Sequence, residues 1–347
     1  MTELFASIKG TDRAEVDTFL KRHQCSLESA LPLADEASAR RYFRIQPNDG
    51  KSQSLIFCID TPFVASTCDF LQIGRYLKEQ KLQLPHIIDF DERGWFLIED
   101  GGETLDSVFQ DDRSKGLTAY RFAIDELIRW QNTAPPSVVA GRSFDFDKLW
   151  WELEFLFARL ALISEKLQTN VKPGFELQFF LRSICEHLAS AQPQVLTHRD
   201  FHSRNILISD RNHLENLKCI DYQDARMGLG WYDLSSLLYD PYSDLTFEER
   251  RDLLTYYREK SNHTSGKGLN QYYLQALQRL LKALGSYLFL TFEKNKPQYI
   301  HSIEPALRRI EEVVLLGHFP DTVFLFAKDM RTSHLPAMQQ LLAGQKQ

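Results

Sequence analysis

The spacing of apolar positions changes about a third of the way along the chain. From residue 29 to about 100 they come in short runs or alternate with polar ones, the period of half-buried strands. SALPLADEASARRYFRIQP, residues 29–47, predicts a hairpin with a polar tip at Asp35–Ala39, and SLIFCID, 54–60, predicts a buried strand. STCDFLQIGRYLKEQ, 66–80, predicts a helix with Phe70, Ile73 and Leu77 on one face and Ser66 or Thr67 as its N-cap. LPHIIDFDERGWFLIED, 84–100, reads strand, turn, strand, and Gly101-Gly102 follows. Ahead of these, Val16, Phe19 and Leu20 share one face of a short helix over 11–23. Beyond residue 103 the period becomes helical, with apolar stripes over 116–132, 146–167, 174–190, 246–260, 270–293, 303–317 and 333–343. The pattern predicts an α+β chain of two lobes: a small antiparallel-sheet lobe over 1–102 and a larger, mainly helical lobe over 103–347.

One stretch breaks the helical rhythm. LTHRDFHSRNILISDRNHLENLKCIDYQDARMGLGWYDLSSLLY runs from Leu196 to Tyr239, with Asn205 five residues after Asp200 and Asp221 sixteen after Asn205. Phosphoryl transfer needs a carboxylate that orients the attacking hydroxyl and accepts its proton. It also needs oxygen ligands that hold Mg2+ against the nucleotide phosphates. The kinase pattern H-R-D-x-x-x-x-N, followed by an Asp on the next hairpin, supplies both. Asp200 fits the base, and Asn205 and Asp221 fit the metal ligands. The plainer account is a loop, strand, turn and strand whose polar residues are merely solvated; the full pattern with its interposed hairpin is far rarer than a lone short motif.

Composition narrows this little. The chain has 347 residues, 43% hydrophobic and 25% charged, with a net charge of −6, so no global basic field draws it to nucleic acid. Its five cysteines are odd in number and none is spaced C-x-x-C, which points to a reducing cytosol rather than a disulfide framework. The polar N-terminal stretch has no apolar signal-peptide core, and no run of about 18 apolar residues predicts a membrane span. A cytoplasmic monomer is the expectation.

Other residues invite chemistry with less force. Ser38 lies in the hairpin tip, and Arg40, Arg41 and Arg44 follow it. A small-residue loop can offer backbone N–H groups to nucleotide phosphates, and an arginine can neutralise them. The tip taken alone reads as a solvated edge without G-x-G-x-x-G. Glu99 and Gly101 stand at the predicted crossing between lobes, where backbone would meet an adenine edge; any strand end has the same look. Trp150, Trp151, Phe155 and Phe157 sit in a long apolar helix and read as core; Glu152 among them reaches a sugar hydroxyl only if that face lines a cleft.

With these residues in view, the chain resembles the aminoglycoside phosphotransferase and choline kinase superfamily. Within it, the chain is most similar to the bacterial anomeric kinases of N-acetylmuramate and N-acetylglucosamine. The likeness rests on ADEASARRYFRI (34–45), GWFLIEDGGETL (94–105), FDKLWWELEFLF (146–157), HRDFHSRNIL, IDYQDARMGLGWYDLSSLLYDPY and KPQYIHSIEPALRRIE (296–311). It implies a protein-kinase-like two-lobed fold, ATP with Mg2+, and transfer of the γ-phosphate to an amino-sugar anomeric hydroxyl in peptidoglycan-sugar recycling. It also implies that Asp233 steadies the catalytic loop and that His202 and Asp224 face the acceptor. The strand SLIFCID departs from the kinase pattern by lacking the lysine that pairs with the α/β-phosphates. That leaves the phosphates to Arg40, Arg41 or Arg44, and leaves a pseudokinase scaffold as a competing class. Choline, homoserine or aminoglycoside acceptors compete within the enzyme reading. A protein kinase is disfavoured, since D-Y-Q replaces D-F-G and no A-P-E follows.

Overall fold

The computed structural model describes residues 13–33, 40–60, 62–262 and 268–344. The first lobe is a five-stranded antiparallel sheet in the order β1-β2-β3-β5-β4. Its strands are β1 Leu31–Pro32, β2 Arg41–Ile45, β3 Leu55–Ile59, β4 Ile87–Asp91 and β5 Trp95–Glu99. Helix α1, Arg13–Lys21, covers one face. Its Val16, Phe19 and Leu20, spaced to share one side of a helix, join Phe43, Ile45, Phe57, Ile59, Trp95 and Leu97 in a closed apolar cluster. Strand side chains alternate, so the other face carries Ile56, Cys58, Phe96 and Ile98, against which α2, Asp69–Glu79, sets Phe70 and Leu71. The predicted hairpin is present as β1 paired with β2; its tip at Asp35–Ala39, including Ser38, lies outside the described residues.

Glycine makes the crossing to the second lobe possible. A Cβ on Gly101 would stand 2.5 Å from the Leu207 side chain, and one on Gly102, whose φ is +92°, would stand 2.2 Å from the Ile208 carbonyl oxygen. The connection is thus pressed onto β8, Ile206–Ile208, and β6, Glu103–Thr104, pairs with that strand. The glycine pair answers to this backbone contact whether or not a ligand also lies there.

The remainder is helical: α3 Leu105–Asp111, α4 Arg113–Gln131, α5 Phe146–Leu167, α6 Phe175–Ser190, α7 Trp231–Leu238, α8 Phe247–Lys260, α9 Gly268–Phe292, α10 Ile300–Gly317, α11 Asp321–Asp329 and α12 Leu335–Gly344. The stretch 194–229 adds β7 Gln194–Thr197, paired with β10 Arg226–Leu229, and β9 Lys218–Cys219, paired with β8. Short α3 and α11 were not predicted, because their stripes are too brief to register as a period. Helix α5 buries Leu149, Leu153, Leu156, Leu160 and Ile163. Its aromatic residues meet the predicted core in part: Trp150 and Phe157 pack against it while partly buried, Phe155 lies half-buried under Arg159, and Trp151 is 52% exposed. Helix α9 is buried almost all round at the centre of the lobe, so its polar residues face other protein groups or the cleft.

Candidate active site

Strand β7 delivers the chain into the loop 198–205, and two carboxylates hold that loop from behind. Asp233, in the first turn of α7, accepts the backbone N–H groups of His198 at 2.7 Å and Arg199 at 2.9 Å. Burial pushes its carboxyl up to about 7, against the pull of those two amides. Asp240 accepts the Ser203 backbone N–H at 2.8 Å, and also the Ser203 hydroxyl. Between the two anchors Arg199 takes φ +84°, a conformation costly for a side chain with a Cβ and sustained here by the bonds on both sides.

Asp200 stands at the crest of the loop. Its Oδ1 accepts Nη2 of Arg279 at 2.8 Å and Nζ of Lys282 at 3.0 Å, both from α9. Among the described residues Oδ2 has no hydrogen-bond partner, so one oxygen is pinned and the other is free to take a hydroxyl proton. Burial alone would raise this carboxyl; Lys282, Arg279, Arg199 and His202 outweigh it and hold the group well below the usual carboxylate range.

Asn205 and Asp221 lie beside it. Asn205 Nδ2 donates to the Asp200 backbone carbonyl at 2.8 Å and lies 3.5 Å from Asp221 Oδ2. Its Oδ1 accepts no hydrogen bond among the described residues. Asp221 opens onto the cleft at φ +68°, and its Oδ1 accepts Gln223 Nε2 at 2.7 Å. Among the described residues no lysine or arginine pairs with it. The protein mass around it, and then the charge of Asp200, push its carboxyl above the usual range. Two neighbouring oxygen ligands and an uncompensated negative charge fit a hard divalent cation. Among the described residues no three His, Cys, Asp or Glu side chains cluster as a metal cage. That suits an ion whose remaining ligands are water and phosphate oxygens.

These residues share one open cleft with a cavity volume of about 210 Å³. Tyr239, Tyr242, Tyr287 and Tyr299 line it too, with Arg204, Arg279 and Lys282. The Arg204 guanidinium lies 3.8 Å from the centre of the Tyr242 ring and 3.2 Å from Asp106. His202 lines the cleft, its Nε2 3.3 Å from Asn205 Nδ2, on the metal-ligand side.

Other expected site residues are placed elsewhere. Asp224 pairs with Arg199 Nη1 at 2.7 Å and is not among the cleft-lining residues. Glu152 is 1% exposed, inside α5, 3.1 Å from Gln278 Nε2 and 3.8 Å from Lys148 Nζ, so its helix face does not line the cleft. The register of β2 puts Arg41 on the α1 side of the sheet with Phe43 and Ile45. Arg44 is committed to Asp100 at 2.6 Å. Arg40 pairs with Asp60 at 2.9 Å and lies over the Phe70 ring, where its charge also reaches Tyr42, Cys58 and Tyr222. Phe70 in turn stacks on Tyr222, the residue after Asp221, with ring centres 5.3 Å apart. Glu99 accepts the His86 backbone N–H at 2.9 Å and pairs with Lys218 at 3.2 Å; Gly101 is buried against Leu207.

Asp240, Arg279 and Lys282 are the site residues that motif reading missed. The signal was present in α9: Gln275, Arg279, Lys282 and Ser286 form a polar stripe at helical spacing through a helix otherwise apolar.

The sequence profile of the phosphotransferase enzyme family matches residues 29–269. The N-acetylmuramate/N-acetylglucosamine kinase of Neisseria meningitidis serogroup B is 28% identical over 305 residues, 81% of this chain and 84% of the relative. The kinase of the same name from Pseudomonas aeruginosa is 28% identical over 297 residues, 82% of this chain and 83% of its own. The fold is also that of the choline kinase LicA from Streptococcus pneumoniae, with TM-score 0.55 and 14% identity over 87% of this chain and 99% of that one. A ternary complex of APH(2'')-IIa with streptomycin and ATP gives TM-score 0.54 and 18% identity over 82% and 93%. With a protein-kinase-like fold and a family match over most of its length, this chain belongs to the phosphotransferase enzyme family, as a small-molecule kinase whose acceptor is an alcohol group.

Proposed function

We propose that the protein transfers the γ-phosphate of ATP to the anomeric hydroxyl of N-acetylmuramate or N-acetylglucosamine, in recycling of cell-wall sugars in the bacterial cytoplasm. The observation that carries this is the convergence of Asp200, Asn205 and Asp221 on one cleft with one Asp200 oxygen left open. Asp200 Oδ2 orients the acceptor hydroxyl and takes its proton. Asn205 Oδ1 and Asp221 hold Mg2+, which when bound neutralises the phosphate oxygens. Arg40, at the sheet side, serves the nucleotide phosphates. Because the transition state is loose, positioning and charge supply most of the acceleration; the base adds about 10²–10⁴-fold.

The wall of the cleft favours a sugar over an amine. A choline or aminoglycoside acceptor brings positive charge, and here it would meet Arg279 and Lys282 already on Asp200. Tyrosine rings and hydroxyls suit a sugar face. The test is ADP release with Mg·ATP and N-acetylmuramate, N-acetylglucosamine, choline, homoserine or kanamycin. Turnover with the N-acetylhexosamines and its loss on chelation with EDTA are expected. Faster turnover with choline or kanamycin would overturn the acceptor assignment, and Mg·ATP binding without turnover would favour a scaffold.

A further inference from the structure

A carboxylate carries one charge and needs one counterion, yet two cations from α9 converge on the same oxygen of Asp200. Arg279 suffices for that task. Its Nη2 reaches Asp200 Oδ1 at 2.8 Å and Ser236 Oγ at 3.1 Å, and its side chain is only 9% exposed, so the guanidinium is fixed in place. Lys282 is held differently. Its Nζ reaches Asp200 Oδ1 at 3.0 Å and has no second hydrogen-bond partner among the described residues. It lines the open cleft together with Asn205 and Asp221. An ammonium on a flexible stem can change partners where a clamped guanidinium cannot. Burial, and then the charge of Arg279, press Lys282 below the usual lysine range, so an added anion would relieve it.

The charge is also needed at this spot. Strand β3 runs Leu55–Ile59 without a lysine, and Arg40, given above to the nucleotide phosphates, already shares its charge with Asp60. Negative charge in phosphoryl transfer spreads over the equatorial oxygens of the migrating group, which must pass beside the residue that orients the nucleophile.

We propose that Lys282 is a catalytic residue that leaves Asp200 Oδ1 to Arg279 when substrates bind and hydrogen-bonds the phosphoryl group in transit. In that step the acceptor oxygen bonds to the γ-phosphorus while the bridging P–O bond to the β-phosphate breaks. ADP departs with that electron pair, and the hydroxyl proton passes to Asp200. Arg279 is the positioning residue that keeps Asp200 aimed throughout.

The inference rests on the ATP-dependent reading above, and acceptor-independent ATP hydrolysis separates the two. Lys282→Met leaves Asp200 with one counterion, so its Tm should be no lower than wild type. Sugar phosphorylation and hydrolysis of ATP by water should both fall, by about 10²-fold, because both move the same phosphoryl group. The acceptor KM should stay within about threefold of wild type. Hydrolysis at the wild-type rate with a raised acceptor KM would overturn the proposal and assign Lys282 to the sugar. So would a lowered Tm with unchanged kcat. If the methionine variant does not fold, Lys282→Gln gives the same comparison with a polar side chain. A wild-type chain that phosphorylates no acceptor but hydrolyses ATP in a Lys282-dependent way ends the sugar reading and keeps this one. A wild-type chain that does neither ends both.

Discussion

Asp200 and Asp221 are the same residue type in the same cleft, and their surroundings are opposite. Asp200 has two cations on a single oxygen; Asp221 has a glutamine amide and no cation. Around the first the local charge sums to about +1, and around the second to −1. Neither imbalance is stable in isolation, since a charge without a partner in a partly desolvated site is costly. On the proposed function, a dication at Asp221 and an anionic group next to Asp200 would balance the two, the charge complementarity that phosphoryl transfer relies on.

The comparison predicts opposite signs for two similar substitutions. Asp221→Asn should cost the most activity, about 10³-fold or more, with a steep rise in the Mg2+ needed for the residual rate. It should not lower Tm, because it removes a charge that Asp200 already opposes. Initial rates across a Mg2+ titration, with thermal melts, check this; a full rate at the wild-type Mg2+ requirement would break the metal-ligand role. Asp200→Asn should cost about 10²–10⁴-fold in kcat. Unlike its neighbour it should destabilise the fold, by roughly 3 kcal/mol, since it strands Arg279 and Lys282 without a counterion. Adding Lys282→Met to Asp200→Asn should recover part of that loss, about 1–2 kcal/mol in a double-mutant cycle. Strict additivity of the two stability changes would mean the ion pair is not a coupled unit.

Much of this site was legible in the chain, for a physical reason. Asp200, Asn205, Asp221 and Asp233 lie within one local supersecondary unit, where residue spacing fixes geometry. Arg279 and Lys282 reach Asp200 from a helix about 80 residues away, and only packing brings that helix to the loop. The same limit governs Glu152 and Arg41. Each has the chemistry for a site, but helix phase buries one beside Gln278, and strand alternation turns the other to the α1 face. The sheet lobe was recovered strand by strand because short apolar runs bounded by polar turns, with alternation at the edges, mark strands locally. The aromatic residues of α5 were only partly core because positions 150, 151, 155 and 157 spread around the helix, and the leucines took the face turned fully inward.

The smallest expected effect concerns His198, two residues behind Asp200. Its ring is fully buried between Trp130 and Phe201, and burial pushes its pKa down from 6.5 to about 4, against the smaller pull of Asp200. Folded and unfolded chains therefore bind protons differently between those two values. Just below pH 6.5 the unfolded chain gains a proton that the folded chain refuses, so His198 by itself lowers stability as the pH drops towards 4, while Asp233, with its raised carboxyl, acts with the opposite sign over the same range in wild type and variant alike. The full difference is about 3 kcal/mol. His198→Gln should begin from a lower Tm, since it leaves a gap against two aromatic rings, yet its Tm should decline less steeply from pH 6.5 to 4. Melts at half-unit pH steps compare the two slopes. Equal slopes would mean that His198 titrates in the folded chain as it does in the unfolded one, and that the floor beneath Asp200 is wetter than its packing indicates.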